Sequence, residues 1–268
     1  AGIRHLKSMM CLCLYPFAGP AYLWVVRPDR YGCERFNITP KSIEGIFMST
    51  DTQTPVANAA QTLIRRLEAK LSEYDMHVLC DITGSMEQPV RSNNPSGPSR
   101  WAYAQETLRD FCKLACKIDD DGIALGFFGG NKFPMYENVT ADKIDGLLNS
   151  QSVGGGTYLA PALNAMFKIA EKATKKDLII VFLDGEVSDA EATMQALIAK
   201  ANAQTNDNDC TVLFIQVGDD ASATKFLNTL DDGLQAKGAK FDIVDVKTID
   251  EAAQYSSFAE LLANAIVD

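Results

Sequence analysis

Met76-His77-Val78-Leu79-Cys80-Asp81-Ile82-Thr83-Gly84-Ser85 is the stretch from which the fold can be read. An apolar run from Met76 to Cys80, with His77 inside it, leads into one carboxylate, two hydroxyls and a glycine. Polar, loop-like residues follow from Glu87 to Ser99. A short apolar run that feeds a polar turn reads as a buried strand ending in a functional loop. Asp81, Thr83 and Ser85 alternate along the chain, so their side chains can converge on one point beyond the strand end. Hard oxygen donors that converge suit a small divalent cation such as Mg2+. The spacing Asp-x-Thr-x-Ser is unspecific by itself, and the rest of the chain has to support it.

Upstream, Thr54-Pro55 reads as a helix start, with threonine as N-cap and proline at the first helical position. Val56, Ala60, Leu63, Leu67, Leu71 and Tyr74 then recur at helical spacing, so a helix over about 54–74 has one apolar face. Downstream, a helix is expected over Arg100 to Lys117, burying Tyr103, Leu108, Phe111 and Ala115. Ile123 to Phe128 reads as a strand. Gly129-Gly130-Asn131 is a tight turn, and Lys132 to Val139 is expected to return as an antiparallel edge strand. Thr140 caps a short helix through Leu148. Gly154-Gly155-Gly156-Thr157 precedes a helix from about Leu159 to Lys172; no Gly-Lys-Ser/Thr follows, so a P-loop is poorly supported. Leu178 to Leu183 is a continuous apolar strand closed by Asp184-Gly185-Glu186. A helix from Asp189 to Gln204, a strand from Thr211 to Val217, a helix to about Leu230, a strand from Phe241 to Val246 and a helix from Phe258 to Ile266 complete the pattern.

Strands that alternate with helices imply a Rossmann-like α/β architecture: a doubly wound, mainly parallel central sheet with an antiparallel edge strand and helices on both faces. In such sheets ligands bind beyond the carboxyl ends of the strands. Asp81 and Asp184 both stand there, and Thr157 lies in a loop that opens a helix on the same side. The three segments are expected to meet.

Composition limits the function classes. With 268 residues, 47% hydrophobic and 22% charged, the chain suits a globular protein with one sizeable core. Its formal net charge of −10 disfavours unassisted binding to nucleic acid or to an anionic membrane, both of which are polyanions. The seven cysteines are an odd number at low density, unlike a disulfide scaffold. Cys80 and Cys210 fall in apolar runs as core thiols, and Cys112 and Cys116 sit four apart on a helix without a second pair at zinc spacing. Reduced thiols point to a cytoplasmic location.

Residues 1–50 read as an N-terminal extension, separate from a main domain over 51–268. Arg4, His5 and Lys7 precede an uncharged stretch from Ser8 to Val26, a pattern resembling a signal peptide. Pro16 and Pro20 interrupt it, which argues against a transmembrane helix. A folded extension and an upstream artefact are the competing readings.

The motifs taken together resemble the von Willebrand factor A family. Asp81-Ile82-Thr83-Gly84-Ser85-Met86 is similar to the first element of that family's metal-ion-dependent adhesion site, Gly155-Gly156-Thr157 to the second, and Leu183-Asp184-Gly185-Glu186 to the third. The resemblance covers roughly residues 74–268 and favours the family's intracellular-type members. Thr83 departs from the usual serine but keeps its hydroxyl; Leu183 replaces a commoner threonine at a position that is not a ligand. The resemblance implies that Thr83, Ser85 and Thr157 donate hydroxyl oxygens to Mg2+ or Mn2+, that Asp81 and Asp184 bind it directly or through water, and that an Asp or Glu carboxylate of a protein partner completes the coordination. Gly155, Gly156, Met86 and Glu186 are then expected on the partner-binding rim. Asp219 and Asp220 follow another strand end as further rim candidates.

Two other functions compete. A metal-free scaffold or assembly subunit would keep the fold without the ion. A Mg-dependent phosphotransferase would need a second aspartate two residues after Asp81, where Thr83 stands. A serine hydrolase lacks a nucleophile elbow at Ser85. No catalytic residue is assigned.

Overall fold

The computed structural model describes residues 10–11, 22–26, 33–37, 55–119, 121–172, 174–185 and 187–266. The chain divides into two compact units, Ala1–Thr62 and Leu63–Asp268. In the first, β1 (Met10–Cys11), β2 (Tyr22–Val26) and β3 (Cys33–Asn37) form an antiparallel sheet in the order β1-β2-β3. Helix α1 (Pro55–Leu71) runs across the boundary between the units in sequence. Its expected cap, Thr54, and the stretch from Arg27 to Gly32 lie outside the described residues. Among the described residues no helix is long and apolar enough to cross a membrane.

The second unit is built on six strands: β4 (Tyr74–Asp81), β5 (Ile123–Phe128), β6 (Met135–Val139), β7 (Lys176–Leu183), β8 (Cys210–Gln216) and β9 (Val244–Thr248), in the order β6-β5-β4-β7-β8-β9. All neighbours are parallel except β5 and β6. The expected α/β architecture and antiparallel edge are therefore present. The central strands are buried and largely apolar because both faces are covered, the condition under which parallel strands are stable.

One face of the sheet, with Val78, Cys80, Ile180, Phe182 and Leu213, packs against α2 (Arg100–Ile118), α3 (Ile144–Asn149), α7 (Ile249–Ala252) and α8 (Phe258–Ala265). The other, with Leu79, Ile179, Val181, Val212 and Phe214, packs against α4 (Ala160–Ala170), α5 (Ala190–Ala203) and α6 (Ala221–Asp231). Helix α2 forms where it does because Ser99 caps it, accepting from the Ala102 N–H at 3.1 Å, and because Ala104, Leu108, Phe111 and Ala115 fall on one face. Removing the buried Phe111 ring would cost about 3–5 kcal/mol.

Several boundaries differ from the sequence reading. Helix α1 ends at Leu71, and Tyr74, read as part of its apolar face, opens β4 instead. The edge strand begins at Met135 rather than Lys132, after the turn closed by the Gly129 and Lys132 backbones. The last strand runs Val244–Thr248, later than Phe241 to Val246: of the earlier residues, Ile243 gives one carbonyl to the Val212 N–H, while Lys247 and Thr248 continue the ladder to Ile215 and Gln216. Thr248 then opens α7 in a reciprocal capping box with Glu251, a turn of helix that the apolar periodicity does not show. The helix after Thr140 begins at Ile144, because the Thr140 hydroxyl bonds the Asp142 carboxylate within a preceding turn.

Candidate metal centre

From β4 the chain proceeds outward to β5 and β6, then crosses back to β7 on the other side of β4 and continues to β8 and β9. The direction of winding thus reverses between β4 and β7, and the crevice outside their carboxyl ends is where such sheets bind ligands. Asp81 is the last residue of β4 and Asp184 follows the last residue of β7. Both are fully buried.

The four residues from Gly84 to Glu87 form a single short turn of helix whose tightness brings the two hydroxyls together. Thr83 Oγ1 and Ser85 Oγ are 3.1 Å apart, and Ser85 donates to Asp184 Oδ1 at 2.9 Å. The Thr83 N–H donates to Asp81 Oδ1 at 2.7 Å, while Asp81 Oδ2 is buried with no hydrogen-bond partner among the described residues. Burial, and next the Asp184 charge, push the Asp81 carboxyl up to about 7. Ser85 and Thr157 are half-buried and Gly154 to Gly156 exposed, so the crevice opens on that side.

The Gly154–Gly156 loop is stitched to its neighbours by backbone. Gly154 donates to Ile82 O, Gly84 to Gly155 O, and Gly130 to Gly156 O. Gly155 has φ +85, and a Cβ on it would lie 2.6 Å from the Gly130 Cα, so two glycine backbones touch where no side chain fits. Thr157 follows directly. Its carbonyl accepts from the Ser188 N–H at 2.7 Å, and Asp189 accepts from the Leu159 and Ala160 N–H groups, each at 3.0 Å. The aspartate satisfies the open N–H groups at the start of α4 and ties the Thr157 loop to the segment after Asp184.

The chain therefore brings Asp81, Thr83, Ser85 and Asp184 into one cluster and anchors Thr157 beside it. The Thr157 side chain makes no hydrogen bond among the described residues. Gly155 and Gly156 lie at the exposed edge. Met86 does not: it is fully buried in the core against the α2 face, because the turn at Gly84–Glu87 directs it inward, and it is removed from the rim. Glu186 lies outside the described residues. Asp219 and Asp220 have structural partners: Asp219 accepts from the N–H and hydroxyl of Ser92, and Asp220 caps α6 through the Ser222 and Ala223 N–H groups. His77 sits lower in the sheet, bonded through Nε2 to Asp177 Oδ1 at 3.0 Å.

One charged group in the crevice escapes the motif reading. Arg100, at the start of α2, is 7% exposed and donates from Nη1 to Asp184 Oδ2 at 3.0 Å. Its guanidinium lies over Gly218, where a Cβ would come within 2.8 Å of Nε. The sequence holds one clue. A cation in the first helical turn opposes the helix dipole, and α2 has no acid in that turn to offset it. Such an arginine has a task elsewhere.

The donor set of two carboxylates and three hydroxyls is all hard oxygen, and the bare Asp81 Oδ2 is the buried acceptor that a cation would satisfy. The residues present fit a divalent ion of the Mg2+ or Mn2+ type.

Fold and crevice define the class: a doubly wound α/β domain with an acid-and-hydroxyl cluster at its switch point. Residues 76–186 match the family model of the von Willebrand factor type A domain, a stretch that contains all five cluster residues. Among solved structures, the chain is similar to the PilB minor pilin D319A mutant from Streptococcus sanguinis (9% identity, TM-score 0.48, covering 91% of this chain and 72% of that one). It is also similar to the SpaC pilus adhesin from Lactobacillus rhamnosus GG (15%, 0.46), a match that covers 72% of this chain but only 30% of SpaC. Manganese-loaded TRAP protein from Plasmodium vivax is a third (16%, 0.45, covering 68% of this chain and 72% of that one). No curated protein matches the chain.

Proposed function

We propose that Asp81, Thr83, Ser85, Thr157 and Asp184 hold a divalent cation, Mg2+ or Mn2+, and that the chain is a protein-interaction module whose ion takes an Asp or Glu carboxylate from a partner. The observation that carries this reading is the pair of buried carboxylates at the switch point, with Asp81 Oδ2 bare in the crevice. The match of residues 76–186 to the von Willebrand factor type A domain supports it. When bound, the ion would supply an electrophilic centre with exchangeable positions. The chain's own residues do the rest. Ser85 orients Asp184, the Thr83 backbone orients Asp81, and the glycine loop leaves room for a partner to approach.

A binding role fits better than catalysis. Ser85 Oγ is engaged with Thr83 and Asp184, and His77 is held by Asp177 in the lower half of the sheet. Among the described residues, Ser85 thus has no histidine beside it, and the carboxylate it meets is itself held by Arg100.

A second reading, the metal-free scaffold, has one observation in its favour: Arg100 and Ser85 already satisfy both oxygens of Asp184. Calorimetric titration of Mg2+ and Mn2+ into the wild-type protein and Asp81→Ala separates the two. Binding that disappears in the variant supports the metal site; absence of heat in both, with no rise in Tm on adding either ion, favours the scaffold.

A further inference from the structure

We propose that Arg100 is a resident counter-cation of the crevice, which holds Asp184 in place when no metal is bound and weakens the metal's hold when one is. The inference rests on the metal reading above and concerns how that site is tuned.

Three observations carry it. First, the two oxygens of Asp184 are divided: Oδ2 accepts from Arg100 Nη1 at 3.0 Å, and Oδ1 faces Ser85 Oγ at 2.9 Å. The arginine therefore occupies one side of the carboxylate and leaves the Ser85 side for the cluster. Second, the guanidinium is built in. Arg100 is buried, its Nε has no hydrogen-bond partner among the described residues, and Gly218, with φ +118, leaves only enough space for the group to lie against its backbone. Asp219 and Asp220 feel the Arg100 charge, but their hydrogen bonds go to Ser92 and to the start of α6, so Asp184 is the carboxylate that Arg100 binds directly. Third, Arg100 is anchored from behind. Its N–H donates to Gln88 O at 2.8 Å, so the loop from Gln88 to Ser99 closes against the base of α2 and holds the arginine at the crevice.

The charges decide the consequence. With both carboxylates ionised, Asp81 and Asp184 with Arg100 leave the cluster one net negative charge, and a divalent ion would make it one net positive. Without the arginine the same ion would only neutralise the cluster. A fixed positive charge beside Asp184 repels the incoming ion at low effective dielectric, so it lowers metal affinity. It also leaves the loaded site positive, which favours an anionic occupant such as a carboxylate over water. Arginine suits this role because its charge is permanent and its planar fork can lie flat against Gly218.

The test compares wild type with R100Q and R100K, using Mn2+ as the probe in calorimetry and thermal melting of the metal-free and Mn2+-loaded protein. R100Q is expected to bind Mn2+ at least fivefold tighter than wild type while melting lower without metal, so that the metal-induced rise in Tm grows. R100K keeps the charge but not the fork, and is expected to bind Mn2+ within threefold of wild type. A purely structural role for Arg100 moves the readout the other way, because a displaced Asp184 would weaken binding in both variants. Equal or weaker Mn2+ binding by folded R100Q overturns the proposal and leaves the metal site standing. If R100Q does not fold, R100K decides: tenfold weaker binding overturns the proposal. Absence of Mn2+ binding in wild type and in both variants overturns the metal reading, and the proposal with it.

Discussion

The parallel sheet buries acids at both of its ends, and the two ends treat them differently. At the amino end, Asp177 lies between His77 and Lys200, and Asp245 pairs with Lys247, so each buried carboxylate has a basic partner of its own. At the carboxyl end, one arginine, Arg100, pairs with Asp184, and Asp81 forms no ion pair among the described residues. Burying a charge is tolerated when it is paired and costly when it is not. Each of these two buried acids at the amino end thus has its own base, whereas at the carboxyl end Arg100 pairs with Asp184 alone. That difference distinguishes a ligand site from a structural ion pair on otherwise similar strands.

The comparison breaks most severely at Asp184. Asp184→Ala would leave Arg100 buried without its carboxylate, and is expected to cost about 3–5 kcal/mol in urea denaturation and to abolish the Mg2+-induced rise in Tm. A smaller loss, or a retained metal shift, would mean that the carboxyl end is as self-sufficient as the amino end.

The same substitution at the two ends should have opposite signs. Asp177→Asn weakens a satisfied pair and is expected to destabilise by about 1–3 kcal/mol. Asp81→Asn relieves a carboxylate that is raised by burial and by Asp184, and is expected to stabilise the metal-free protein at pH 8 by about 1 kcal/mol or more while removing metal binding. Chemical denaturation of both variants in EDTA measures the pair. Two losses would contradict the charge account.

A pH series sharpens the point. The unfolded chain releases the Asp81 proton near the ordinary 3.8, whereas the folded chain keeps it to about 7. Between those values the folded state binds more protons, so the stability of the metal-free protein should fall as pH rises from about 4 to about 7. Saturating Mg2+ should flatten the fall, because the ion replaces the proton. Asp231, at the amino end and also pushed up to about 7 by burial, contributes with the same sign. Its part should be unaffected by Mg2+ and should disappear in Asp231→Asn. The smallest effect is expected at the surface: Arg91→Ala removes an exposed two-pronged contact with Asp250 and should cost less than about 1 kcal/mol.

Much of this is legible in the sequence, for definite reasons. Buried parallel strands carry long apolar runs, so β4, β5, β7 and β8 stand out, and the residues that end β4 and follow β7 are at once the candidate ligands. Loop acids are harder. Asp189 reads as the start of a helix, and nothing local shows that it caps a different helix across the crevice. Arg100 also looks like an ordinary helix start, because its partner is 84 positions away and neither residue specifies the other locally. Proximity to Ser85 suggests the rim for Met86, but a single turn of tight helix is enough to reverse a side chain. The short strands β1 and β2 lie where basic and apolar residues follow the order of a signal peptide, and β3 lies beyond it; two- to five-residue strands carry too little periodicity to be read from sequence.

The loop between Gln88 and Ser99 closes on itself: Pro89 bridges to Ser99, the Val90 N–H donates to Pro98 O, and Asn93 to Ser96 form an exposed tip. Its ends are fastened next to Arg100, and Arg91 and Ser92 are held by Asp250 and Asp219, so only the tip projects freely. Closing a loop of twice the length costs only about 0.6 kcal/mol more. Extra sequence at this exposed tip, a fluorescent tag or a new recognition segment alike, is therefore expected to cost little and to be carried near the mouth of the site.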